Sequence, residues 1–516
     1  MNLEANTKNP IIIHPILFAI FPIIFLFSYN IGELKFQDIF LPLLLVLPIT
    51  IGVWISLRYI LKNTVKAAFI VSILLIIFFS YGHIYELFDN VTIGNVDIGK
   101  SRYLLIPFLI SLVVGIYYFI RTNRKLNNAT TITNFITIAL ILTASVNLWT
   151  FYTESIEDGT FENPFLHIEG EQPVLSQLDN DDLPDIYYIL LDGYAGKNAL
   201  KEFLDFDNQE FYSFLNNEGF YVPEQTYGNY PITATAMASV LNMQYPHHLT
   251  DLIGTESADL HPTFELIYDN FVMKKLKSHG YTIINFETGA DYVDEFKNLD
   301  LYYCKNDSLL EHKLTNSLLH TSIIGYFVDR MEYQEHRNMI QCIFSELSEI
   351  KNIDEPTFVY AHIVSPHVPF VFTAEGEPRD PVSRSDLQGD QDAEGYLNKV
   401  KFTNMEIRKL VNKLLYKTNE SPIIIIQSDH GSDFGLDWKN LTEDTQRQRM
   451  SNFQAFYLPN ENSNLMSKTS TPVNIFRIIF NTYFNENYEI LPDKIYWNDY
   501  SKPYDFKDIT STIISD

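Results

Sequence analysis

Pro422-Ile423-Ile424-Ile425-Ile426-Gln427-Ser428-Asp429-His430-Gly431 is an apolar run that ends in an acid, an imidazole and a glycine. Such a run reads as a buried strand. Its end sets two metal-ligating side-chain types at the carboxyl edge of a sheet, where the active sites of open α/β sheets collect. A second run, Ile186-Tyr187-Tyr188-Ile189-Leu190-Leu191, ends the same way, in Asp192-Gly193. Two strands that each deliver a carboxylate, one with a histidine, form the skeleton of a metal-dependent hydrolase or transferase site. Each aspartate can equally cap a following helix; the Asp429-His430-Gly431 triplet is the more specific signal.

Outward from these strands, short β-rich runs alternate with helical patterns. Strands are expected at 186–191, 281–287, 357–363, 422–428 and 453–458, and helices at 198–217, 233–243, 262–279, 324–350, 394–417 and 472–484. This alternation predicts an α/β domain over 185–516, its mostly parallel sheet lying between helices. The polar, acidic stretch 152–184 reads as a linker.

The first 150 residues differ in kind. About 20 apolar residues span a bilayer as a helix, and five runs qualify, at roughly 10–30, 38–60, 66–83, 102–120 and 131–151. Residues 1–151 are thus expected to form a five-helix transmembrane domain. Lys8, then Arg58, Lys62 and Lys66, then Arg121, Arg124 and Lys125 fall in alternate loops. The other loops hold Lys35, Lys100 and Arg102 beside Glu33, Glu86, Asp89 and Asp97. The positive-inside rule puts the N-terminus in the cytoplasm and the domain after 151 outside the cell membrane. Residues 1–150 carry ten basic against six acidic side chains, a net +4; with the whole chain at −27, the remainder carries −31. That acidity excludes nucleic acid as a partner, since its binding needs a basic footprint. Cys304 and Cys342 both fall in the exterior part, where a disulfide and two separate thiols are both allowed.

Two further segments carry candidate chemistry. Tyr227-Gly228-Asn229-Tyr230-Pro231 reads as a turn before a helix that opens with Thr233. A hydroxyl there can cap backbone amides or act as a nucleophile, with Thr235 the second candidate two residues on. In His362-Ile363-Val364-Ser365-Pro366-His367-Val368-Pro369-Phe370 two prolines fix the loop around His367. An imidazole so presented suits binding an anionic substrate or protonating a leaving oxygen. His362, inside the strand, suits either a structural role or the substrate side.

In their order along roughly 185–460, these segments resemble the sulfatase branch of the alkaline phosphatase superfamily. With the preceding spans, the chain is similar to the lipoteichoic acid synthases and phosphoethanolamine transferases. The resemblance implies an exterior alkaline-phosphatase-like domain with Asp192, Asp429 and His430 on one divalent cation. Thr233 would be a further ligand and the nucleophile, and His367 would meet substrate, with His362 left as a candidate on the substrate side. It also implies Mn2+ or Zn2+ as cofactor, with Mg2+ or Ca2+ as alternatives, a membrane lipid or lipid-linked donor, and an envelope glycan acceptor. The chain departs from the true sulfatases where they carry Cys/Ser-x-Pro-x-Arg: Thr233-Ala234-Thr235-Ala236-Met237 has no convertible residue, proline or arginine. Gly280-Tyr281-Thr282 likewise precedes no Gly-Lys-Trp-His. Phosphoester transfer through threonine is the expectation, with a hydrolase of soluble sulfuric or phosphoric esters and an inactive glycan-binding or assembly protein as alternatives.

Overall fold

The computed structural model describes residues 10–514 except 32–33, 89–91, 94–95, 98–100, 155–182, 290–293, 295, 307, 309–311, 351–352, 354, 380–391, 418–420, 439 and 461. The linker read over 152–184 lies almost wholly outside these residues, as do Lys8, Glu33, Asp89 and Lys100 of the loops. The chain forms two compact units: Met1–Ser155 with Asp307–Glu332, and Ile156–Asn306 with Tyr333–Asp516.

The first unit is built on α1 (His14–Tyr29), α2 (Phe40–Leu61), α3 (Thr64–Phe88), α4 (Ser101–Arg121) and α5 (Asn127–Glu154). Among the described residues four helices are long and apolar enough to cross a membrane, over Phe36–Leu61, Thr64–Tyr85, Leu104–Arg121 and Asn127–Phe151. The expected count of five is corrected at the first. At a rise of about 1.5 Å per residue, the 16 residues of α1 reach only about 24 Å against a hydrocarbon core of about 30 Å.

The second unit is a six-stranded sheet flanked by helices. Its strands are β1 (Ile186–Leu191), β2 (Thr282–Phe286), β3 (Leu301–Tyr303), β4 (Thr357–Ile363), β5 (Ile423–Gln427) and β6 (Gln454–Tyr457), in the spatial order β3-β2-β4-β1-β5-β6. All neighbours are parallel except β5–β6. Every residue of β1, β4 and β5 is buried, which is why they read as unbroken apolar runs rather than alternating ones. Successive side chains still part to opposite faces. Tyr188, Leu190 and Ile425 join a core with Met237 and Leu241, whereas Tyr187, Ile189 and Ile426 join one with Phe344, Val400 and Leu410. Those partners come from α6 (Thr233–Asn242) on one side, and from α8 (Gly325–Leu347) and α9 (Ala393–Lys417) on the other.

Two expected helices are each divided. The run 198–217 breaks at Asp205, which adopts φ 47°, and 262–279 breaks at Asn270, whose side chain caps the second piece. The three-residue edge strand β3 is not among the expected strands. Cys304, next to it, is disulfide-bonded to Cys342 of α8, with Cα atoms 5.8 Å apart.

Within Asp307–Glu332, α7 (Lys313–His320) is held to the first turns of α8 by the His320 imidazole and by Asn316, whose amide donates to Glu332 at 3.1 Å. His320 Nδ1 lies 2.5 Å from Asp329 and its Nε2 2.9 Å from Glu332. Burial opposes its charge, but the two carboxylates raise its pKa from 6.5 to about 9. A pKa raised on folding adds stability in full below pH 6.5 and loses it as pH rises through about 9. The thermal midpoint of the solubilised chain is expected to fall between pH 7 and 10, and His320→Gln to flatten that fall.

Candidate metal centre

Strand register builds the site. Leu190 of β1 lies opposite His362 of β4 on one side and Gln427 of β5 on the other. Two residues beyond each end of this row stand Asp192 and Asp429, so the parallel pairing sets the two carboxylates side by side at the carboxyl edge. Gly193 follows at φ 70°, a left-handed turn that favours glycine, and its N–H donates to Asp429 Oδ1 at 3.1 Å. Gly431 is required by crowding: a Cβ there would meet the carbonyl oxygen of Gln448 at 2.2 Å.

Asp192, Asp429 and His430 are all buried, and each offers one ligand atom within 4.8 Å of the others. His430 Nε2 lies 3.1 Å from Asp429 Oδ2, 3.7 Å from Asp192 Oδ1 and 3.2 Å from the Thr233 hydroxyl. Its Nδ1 donates to the Gly431 carbonyl at 2.8 Å, which leaves Nε2 as a lone pair aimed into the cluster. Burial and the nearby Arg449 guanidinium hold the His430 pKa well below 6.5, so the ring is neutral. Asp192 Oδ1 and Asp429 Oδ2 are buried without a hydrogen-bond partner. Burial and the Asp192 charge push the Asp429 carboxyl up to about 6. Asp192 itself, though opposed by burial, is held low by His367, His362 and His430. Two carboxylate oxygens and an imidazole lone pair thus converge with no protein cation among them, a donor set that fits a divalent metal such as Zn2+ or Mn2+.

The other expected residues fall around this cluster. Thr233 opens α6, a helix whose ten residues are all buried, and its hydroxyl is the only one of that helix hydrogen-bonded to His430 among the described residues. Thr235 points elsewhere, accepting from Asn498 at 3.2 Å. His362 has no exposed surface; its Nε2 lies 3.1 Å from Asp192 Oδ2. His367 is part-exposed, its backbone N–H donates to the Asp192 carbonyl at 3.0 Å, and its ring centre lies 6.4 Å from that of His430.

Three neighbours went unread in the sequence. Asp433 lies 3.4 Å from His367 Nε2 and also pairs with Arg449. Its position four residues after Asp429 was the available signal. Arg449 is buried and donates twice to the Pro231 carbonyl, at 2.9 and 2.6 Å, just before Thr233. Lys399 is buried in α9 and donates to the carbonyls of Val364, His367 and Pro369 at 2.9, 2.5 and 3.0 Å. Burial drives its pKa well below 10.5. Nothing in the sequence separated Arg449 or Lys399 from the ordinary basic residues of a helix.

Residues 195–489, more than half of the chain, match the family model described as Sulfatase. The chain belongs to the sulfatase family. No curated protein sequence matches it. Among solved structures it is similar to the C-terminal periplasmic domain of EcEptC from Escherichia coli, at 11% identity over 64% of this chain and 94% of that one, TM-score 0.42. It is also similar to that domain of phosphoethanolamine transferase EptC from Campylobacter jejuni, at 12% identity over 59% and 90%, TM-score 0.39. A third is the integral membrane lipooligosaccharide phosphoethanolamine transferase A from Neisseria meningitidis, at 12% identity over 91% and 95%, TM-score 0.37.

Lys399→Met strips three part-buried carbonyls of a donor. An unsatisfied buried acceptor costs about 1–3 kcal/mol, so this substitution is expected to lower the thermal midpoint sharply. The exposed Lys409→Met on the same helix is the control and is expected to leave it unchanged.

Proposed function

We propose that this sulfatase-family chain is a membrane-anchored, metal-dependent phosphoryl-group transferase that works through Thr233. The observation that carries the reading is the Thr233 hydroxyl, at the start of α6 and 3.2 Å from His430 Nε2, beside two buried carboxylates. A true sulfatase needs a convertible cysteine or serine at this place, and the chain has neither there.

Asp192, Asp429 and His430, with the Thr233 oxygen, would hold one divalent cation. Bound there, a cation of this kind supplies Lewis acidity toward a phosphoryl oxygen and a hydroxyl. The chain's own residues account for the rest. The Thr233 oxygen attacks phosphorus in line and gives its proton to solvent water; a P–O bond to threonine forms as the bond to the donor alkoxide breaks. That alkoxide takes a proton and leaves as an alcohol. An acceptor hydroxyl then attacks the phosphothreonine and restores Thr233. His367, exposed on the open side, binds phosphoryl oxygens or protonates the leaving group. His362, buried under Asp192, is assigned to orienting that carboxylate rather than to touching substrate.

Four apolar helices and the positive-inside pattern, which sets Arg58, Lys62 and Lys66 and Arg121, Arg124 and Lys125 inside, support a multi-pass cell-membrane protein with the globular unit outside; the cytoplasmic N-terminus expected from five spans would require α1 to cross as well. This favours a donor such as a phosphoglycerol- or phosphoethanolamine-bearing lipid and an acceptor in the envelope, glycan or lipid.

Mass spectrometry after incubation with envelope lipids is expected to show a phospho-adduct on Thr233. Thr233→Ala is expected to abolish the adduct and to cut phosphodiester turnover by roughly 10³-fold or more, as nucleophile deletions do. A chelator is expected to suppress the same activity. Faster turnover of an aryl sulfate than of a phosphodiester, measured side by side, would overturn the assignment.

A further inference from the structure

The chain leaves the globular unit after Asn306 and re-enters it at Tyr333, and the intervening Asp307–Glu332 belongs to the helical unit. Cys304 and Cys342 flank this excursion, so their disulfide closes its base. Within it, α7 lays Leu314 and Leu318 into a cluster with Phe27, Ile31, Leu34 and Ile39 of the first two helices and their turn. The next residues lock onto α3. Gly82 N–H donates to the Thr321 carbonyl at 2.9 Å, and Ile323 N–H donates to the Phe78 carbonyl at 2.9 Å. A Cβ on Gly82 would stand 2.5 Å from Thr321 Cα, so only glycine permits this approach.

The hairpin has two unlike faces. Val328 and Asp329 of α8 are buried, the latter on His320. On the other side Ile324, Phe327 and Met331 are 39%, 66% and 57% exposed. Their spacing of three and then four residues makes one apolar stripe.

The neighbours of this stripe identify what covers it. The hairpin packs on the start of α2 and the final turns of α3. Helices that cross a bilayer in turn alternate in direction, so these ends share one membrane face with the end of α5. Tyr29, Phe36 and Phe40, close in the chain to the packed Ile31 and Ile39, are exposed aromatics of the kind enriched at a membrane–water boundary. An apolar stripe continuous with such a belt lies where headgroups meet acyl chains.

We propose that the α7–α8 hairpin is a second membrane-contacting element, with Ile324, Phe327 and Met331 set into the phospholipid headgroup–acyl boundary beside the α1–α2 turn. A segment numbered inside the globular domain thereby rests on lipid. The inference concerns the helical unit and holds whether or not Thr233 is a nucleophile.

Both cysteines of the chain are paired, so a single added cysteine is the only free thiol. Phe327→Cys and Met331→Cys of the full chain, each carrying a nitroxide, are compared in phosphatidylethanolamine–phosphatidylglycerol nanodiscs. Power-saturation spectra are recorded with oxygen and with a water-soluble nickel chelate. Tyr117→Cys on α4 serves as the lipid reference and Tyr416→Cys on α9 as the aqueous one. At both hairpin positions oxygen is expected to relax the label severalfold more than the chelate, as at 117. Chelate access equal to that at 416 would overturn the proposal, because the stripe would face water. Exclusion of both reagents would overturn it too, because protein rather than lipid would then cover the stripe. Both side chains are more than half exposed, and the thermal midpoint of each labelled variant is compared with that of the unlabelled chain to check that the fold is retained.

Discussion

The parallel register of β4, β1 and β5 imposes a constraint that the rest of the globular unit answers. In-register pairing of three fully buried strands ends two of them at the same level, and each ends in an aspartate. Burial first, and then the charge of the neighbouring Asp192 carboxylate, raise the pKa of Asp429. The chain adds a third acceptor instead of a counter-charge: the hydrogen bond from His430 Nδ1 to Gly431 turns a lone pair toward the same point. A divalent cation would relieve such an arrangement, and among the described residues the nearby Arg449 and Lys399 donate to backbone carbonyls further out.

Those outer cations do a different task. Arg449 sits against the carbonyl of Pro231, the residue two before Thr233, and pairs with Asp433, which in turn faces His367. Lys399 gathers three carbonyls from the loop that carries His367. Both are buried and neither points at the acceptor cluster as a donor, so they fix backbone rather than neutralise the site. A buried cation is costly unless well bonded, and here the hydrogen bonds go to the two loops that hold Thr233 and His367. Two segments far apart in sequence are thus held at fixed distances from one sheet edge.

How much of this was legible in the sequence follows from how local each signal is. The strands β1, β4 and β5 could be read because burial on both faces makes them continuous apolar runs, and Asp192 and Asp429-His430 follow directly on two of them. Thr233 was legible as a helix start, but nothing local could separate it from Thr235; tertiary packing did that, by sending Thr235 to Asn498. The edge strand β3 is three residues long and partly exposed, so no pattern marks it. The division of the helices at Asp205 and Asn270 turns on a left-handed residue and a cap within otherwise helical periods. Lys399 and Arg449 were invisible because burial of a basic helix residue is decided wholly by what packs on it.

The helical unit shows the same limit from the other side. Hydropathy finds apolar length but does not see where a helix begins and ends, and so α1 was counted as a span although its 16 residues fall short. Nor does it see that Leu314 and Leu318, 160 residues beyond α5, complete a core with α1 and α2. The two helical ends leave room for that insertion because Gly82 of α3 has no side chain at the contact. The disulfide at the base of the excursion shortens the unfolded chain's freedom over the same residues, which favours the inserted state entropically. A loop that would otherwise hang from an edge strand is thereby turned into part of the membrane unit. Three covalent connections then join the units, where a reading of the spans alone gives one.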